Sequence, residues 1–141
     1  MRRRTSGLPL MLAALLLPIA VGCQQLGLTP APIAEGSDPL VVNAERASKI
    51  SLSVFEAAVN FDHDNLLLMK EKLPSVHEQV QTLRREFPPA YQAVRDATKA
   101  YKSSRTKAAA DDLNVKLAAL QKQEQVARSA LAAGQAAKPE G

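Results

Sequence analysis

Apolar residues recur along this chain at alternating spacings of three and four, the period of one helix face, over three long stretches. The first holds Leu52, Phe55, Val59, Asp62, Leu66, Met69 and Leu73, with a neighbouring stripe of Ala47, Val54, Phe61 and Leu68. Together they predict a helix from Asp38-Pro39 to about Lys72 whose apolar arc is wide enough to touch two partners. Asp38 suits the N-cap and Pro39 the first helical position, where a missing N–H costs nothing. Leu73-Pro74 should end that helix, because the residue before a proline is pushed out of the α region.

Ser75-Val76-His77-Glu78 has the form of a capping box for the next helix. Its stripe is Val76, Val80, Leu83, Phe87, Tyr91, Val94, Thr98 and Tyr101. Pro88-Pro89 should remove backbone hydrogen bonds, yet the stripe keeps its phase across the pair. One kinked helix from about Ser75 to Lys102 is therefore expected, two separate helices being the alternative. A last helix should follow Thr106 as its cap, bury Leu113, Leu117, Leu120, Ala127 and Leu131, and stop at Gly134. No strand pattern competes. Three long helices joined by short turns make an all-α, antiparallel three-helix bundle the expected architecture, with four helices if the chain breaks at Pro88-Pro89.

The periodic part occupies residues 38–134, enough for one core and no second domain. What precedes it differs in kind. Arg2, Arg3 and Arg4 lead into an apolar run from Leu8 to Val21, too short for the roughly 20 residues of a membrane-spanning helix and interrupted by Pro9 and Pro18. The run ends in Ala20-Val21-Gly22-Cys23-Gln24, with a small residue directly before the one cysteine of the chain. Residues 1–22 thus read as a lipoprotein signal peptide, exported by the general route because Ser6 and Gly7 fit a twin-arginine signal poorly. Cys23 is the expected lipid attachment point. The alternative is an ordinary secretory signal cut near Gly22, which would leave Cys23 an incidental thiol. Residues 23–37, with Thr29-Pro30-Ala31-Pro32, have the composition of a flexible tether, and residues 135–141 that of a disordered tail.

Removing residues 1–22 changes the charge picture. The whole chain carries 18 Lys and Arg against 14 Asp and Glu; three of those arginines lie in the leader, leaving 15 against 14. Neither a basic surplus nor an interleaved aromatic platform remains to suggest nucleic-acid binding. With one cysteine, no intramolecular disulfide can form.

Val42-Asn43-Ala44-Glu45-Arg46, Phe61-Asp62-His63-Asp64-Asn65 and Ala100-Tyr101-Lys102-Ser103-Ser104-Arg105-Thr106 resemble segments of small helical lipoproteins of bacteria and their prophages. That resemblance implies a helical fold and placement outside the cytoplasm, and brings no activity with it. Gln24 behind the cysteine, where an Asp would retain the protein at the inner membrane, resembles the outer-membrane sorting pattern of a two-membrane host. The partners expected are the membrane, through the lipid anchor, and an envelope protein or a second copy of the chain.

Asp62-His63-Asp64 is the one place with metal-ligating residue types in sequence, but neighbours on a helix point about 100° apart and cannot close round one ion. Asn60, His63 and Asp64 share a face more nearly, and His77 could be added from the next helix. A solvated helix face is the ordinary reading. No Ser or Cys is patterned with His63 or His77 as a nucleophile. No catalytic, cofactor-binding or metal-binding residue is therefore assigned, and a non-enzymatic interaction or envelope module is expected; a periplasmic ligand- or metal-binding bundle is the rival. Asp62 interrupts the first stripe and is expected at its wet edge. The alternative is burial against Arg84, Arg85 or Lys99, where it would fix helix register. Glu71-Lys72, Arg84-Arg85-Glu86 and Lys122-Gln123-Glu124 are read as solvated, mixed-charge surface.

Overall fold

The computed structural model describes residues 32–138, and within these the chain is all-helical, without strands. Four helices follow one another: α1 (Pro39–Asp64), α2 (Leu66–Lys72), α3 (Pro74–Ser104) and α4 (Lys107–Ala136). Cys23, the expected leader and most of the expected tether lie outside the described residues. Of the tether, residues 32–37 are non-helical, with a turn at Glu35-Gly36 closed by Ser37 N–H donating to the Ala34 carbonyl at 3.0 Å.

Two helix starts form as their sequences dictate. Asp38 Oδ1 accepts from the backbone N–H of Leu40 at 2.9 Å and of Val41 at 3.3 Å, with Pro39 behind it. Thr106 Oγ1 accepts from the N–H of Ala109 at 3.3 Å. The capping box at Ser75 does not form: α3 begins one residue earlier, with Leu73 as a cap that offers no side-chain acceptor and Pro74 in the first turn. Proline at that position already lacks the N–H that a cap would have to satisfy.

The extra helix comes from Asn65, not from Pro88-Pro89. Asn65 leaves helical geometry at φ −118°, ψ 34°, and both its backbone N–H and its Nδ2 donate to the Phe61 carbonyl, at 3.0 and 2.9 Å. A short amide side chain that bonds a nearby backbone carbonyl competes with helix continuation. One residue later the chain is helical again, and Met69 of α2 is buried.

Pro88 and Pro89 stay inside α3. Both are exposed, so the carbonyls they leave without partners one turn earlier can face water. The cost of a mid-helix proline is about 3 kcal/mol, and fully burying an aliphatic or aromatic side chain contributes about 1.5–3 kcal/mol. Val80, Leu83, Phe87, Val94 and Ala97 are all buried on the continuous helix and hold it together through the pair.

The core joins α1, α3 and α4. Ala44, Phe87, Val94, Ala97, Leu113 and Leu120 form its main cluster, flanked by Leu52, Phe55, Tyr91 and Leu117; Ala58, Leu83 and Ala127 form a second. Phe55 stacks flat on Phe87, with ring centroids 4.3 Å apart and planes 1° apart, and Tyr91 continues the stack at 6.0 Å. The most buried line of α1 runs through Val41, Ala44, Ser48, Ser51, Ala58 and Asp62; it shares Asp62 with the apolar stripe of the sequence and before it runs beside Leu52 and Val59. Ala44, Ser48, Ser51 and Ala58 of this line are small, and the larger Leu52 and Phe55 are half-buried beside it.

Gly134 does not stop α4, which continues to Ala136. The glycine is buried in the helix because the Phe61 ring lies against it: a Cβ there would stand 2.4 Å from Phe61 Cε1. Residues 135 and 136, expected in the tail, are the last two of α4.

Candidate functional site

Asp62 is not at the wet edge of its stripe. It is 1 % exposed, and three side chains of α3 converge on it. His77 Nδ1 lies 2.6 Å from Oδ1, Gln81 Nε2 donates to Oδ2 at 3.1 Å, and Arg84 Nη2 lies 3.5 Å from Oδ2. The same Arg84 nitrogen donates to the Val59 carbonyl at 3.4 Å, while Arg84 Nε is buried with no partner among the described residues. Residues 77, 81 and 84 lie on one α3 face by the helical period, so a single α3 orientation presents all three to one carboxylate. Of the cations proposed from sequence Arg84 arrives, and Lys99 instead lies 3.9 Å from Asp96.

Of the residues weighed as metal ligands, His77 is drawn to Asp62 and away from the other two. Its Nδ1 is committed to Asp62, whereas His63 and Asp64 form an exposed pair at 3.2 Å. Among the described residues no three His, Cys, Asp or Glu side chains are grouped to hold a metal ion. A carboxylate of α1 with both oxygens bound by side chains of α3 is a helix-to-helix clasp.

A second buried acid was not legible as such. Glu124, 9 % exposed, accepts from Ser51 Oγ at 2.6 Å and from Arg128 Nε at 2.8 Å. In sequence it sits in Lys122-Gln123-Glu124, a mixed-charge run that reads as surface. The signal that could have found it is phase: Leu113, Leu117, Leu120, Glu124, Ala127 and Leu131 continue one stripe without a gap.

Two grooves flank α3. One, of about 590 Å³, lies between α3 and α4 and is lined by Glu78, Thr82, Leu83, Glu86, Lys122 and Val126. The other, of about 260 Å³, lies between α1 and α3 and is lined by Glu45, Lys49, Tyr91, Arg95, Lys99 and Lys102. No described helix is long and apolar enough to cross a membrane. The chain matches no known protein-family model, no curated protein and no solved structure.

Proposed function

We propose that the chain is an extracytoplasmic lipoprotein, anchored by acyl groups on Cys23, whose helical part acts without catalysis as an interaction or structural module of the cell envelope. The observation that carries this reading is the N-terminal pattern: Arg2-Arg3-Arg4, the short apolar run Leu8 to Val21, and Gly22-Cys23-Gln24 at its end. Gln24 favours the outer membrane, facing the periplasm, where the host has two membranes.

In this reading α1, α3 and α4 form an antiparallel three-helix bundle with α2 as the turn between α1 and α3. In support, Asp38 at the start of α1 bonds Tyr101 Oη at 3.2 Å and Arg105 at the end of α3, and Lys102 Nζ lies 2.6 Å from Glu45 Oε1. The exposed Val115, Ala118 and Ala119 of α4 offer a surface of modest side chains to an envelope protein or a second copy.

The test is intact mass and membrane fractionation of the full-length protein beside Cys23→Ser. The expected result is loss of residues 1–22, a mass increase from acyl chains, and membrane retention that the substitution abolishes. An unacylated, freely soluble wild type would remove the anchor and make a secreted bundle the better reading.

A further inference from the structure

The two grooves beside α3 carry opposite charge. Between α3 and α4, Glu78 and Glu86 face Lys122. Between α1 and α3, Lys49, Arg95, Lys99 and Lys102 face Glu45, with Asp96 beside Lys99. Lys102 is paired to Glu45 at 2.6 Å and Lys99 loosely to Asp96 at 3.9 Å, whereas Lys49 and Arg95 have no acidic partner among the described residues. Four exposed cations against two acids leave the α1/α3 groove with a local surplus that the near-neutral mature chain does not have as a whole.

Position gives that surplus a direction. Glu45 and Lys49 lie 7 and 11 residues after Asp38, about 10 to 17 Å along α1 from the point where the tether enters the fold, at 1.5 Å per residue. Residues 23–37 span at most about 50 Å when fully extended. An acyl-anchored Cys23 therefore keeps the basic groove within reach of the membrane surface, whereas Glu78 of the acidic groove lies near the start of α3, towards the other end of α1.

We propose that the α1/α3 groove is a second membrane contact, seating the bundle on a surface of anionic phospholipid headgroups beside its acyl anchor. The proposal rests on the lipid-anchored reading above. Each Lys or Arg held at such a surface strengthens partition by about fivefold, and the effect fades with rising salt. Lys49, Arg95, Lys99 and Lys102 lie along one open face, the geometry suited to a plane of phosphates.

The experiment uses the chain from residue 24 onward, which keeps the whole compact unit Ile33–Gly141 and lacks the leader and the acylated cysteine. Co-sedimentation is measured with vesicles of phosphatidylcholine alone and of phosphatidylcholine with about a third phosphatidylglycerol. Binding to the anionic vesicles only is expected. Arg95→Gln with Lys99→Gln should weaken it about twenty-five-fold, while Lys70→Gln with Lys122→Gln, an equal charge change away from the groove, should leave it within about twofold. All four side chains are exposed, and circular dichroism checks that helical content is kept; Lys49→Gln with Lys99→Gln reads the same groove should Arg95→Gln disturb it. Equal loss in the groove and control pairs, or no preference for anionic vesicles, would overturn the proposal. So would displacement by inorganic phosphate beyond that by sodium chloride at matched ionic strength, which would assign the groove to single phosphate groups. Failure of the anchor reading shows separately, as an unacylated mass of the full-length protein.

Discussion

Asp62 and Glu124 are both buried carboxylates on apolar stripes, but Asp62 draws all its side-chain partners from α3 whereas Glu124 draws its charged partner from its own helix. Asp62 at 1 % exposure is neutralised only when α1 and α3 are in one register. Glu124 keeps Arg128 at i+4 wherever α4 goes, and adds one bond across to Ser51 of α1. Taking a charge out of water costs several kcal/mol unless it is paired and hydrogen-bonded, so the two acids differ in what a misplaced helix would cost. The first selects an arrangement; the second tolerates several.

The largest expected effect isolates Asp62. His77→Leu with Arg84→Leu leaves a buried acid with Gln81 alone and should lower unfolding free energy by about 3–5 kcal/mol in a urea titration. A loss under about 1 kcal/mol would put Asp62 in contact with water and end the distinction. Asp62→Leu complements this measurement: if melting held or improved with helix content and association unchanged, Asp62 would have no part in fixing register. Next in size is Gly134→Ala, which forces the Phe61 ring aside at the same end of the bundle and should cost about 1–3 kcal/mol. Recovery with Phe61→Leu in the same chain would assign the loss to that contact. Arg128→Leu should cost less, about 1–2 kcal/mol, because Glu124 keeps Ser51 and sits nearer solvent; a cost matching the His77 and Arg84 pair would make the two acids equivalent. Ser51→Ala closes the series at about 1 kcal/mol, read as a shift in melting temperature, and a neutral result would leave Glu124 held by its own helix alone.

Much of this fold was legible because periodicity reports burial directly. Every member of the α3 stripe from Val76 to Tyr101 is buried or half-buried, and keeping phase across Pro88-Pro89 was the correct sign of a continuous helix. The caps at Asp38 and Thr106 were equally readable. What escaped has a common physical cause. Ser48, Ser51 and Ala58 carry too little apolar surface to mark a core line, yet small residues are what two helices need where they approach closely, so the true line of α1 ran beside the one its larger side chains marked. Gly134 has the look of a terminator, and only the ring of Phe61, 73 positions away, turns it into a packing residue. Asn65 broke its helix where its side chain bonds the Phe61 carbonyl one turn back, which leaves the apolar period unaltered. The Asp62 clasp needed the fold: of its three α3 partners only Arg84 was among the cations proposed for it, His77 was weighed as a metal ligand, and Gln81 carried no signal in the sequence. Cys23 stands apart, argued from the leader pattern outside the described residues.

Met69 is the one methionine among the described residues, 1 % exposed on the seven-residue α2 that lies between α1 and α3 in the chain. A thioether reacts with peroxide only when the oxidant reaches it, and the sulfoxide that forms is polar and does not fit back into an apolar seat. Each opening at α2 long enough to admit peroxide would therefore leave, in the purified protein, a lasting chemical record on one atom. The rate at which Met69 gains oxygen, set against that of free methionine, becomes a clock for how often α2 lifts away from the helices beneath it.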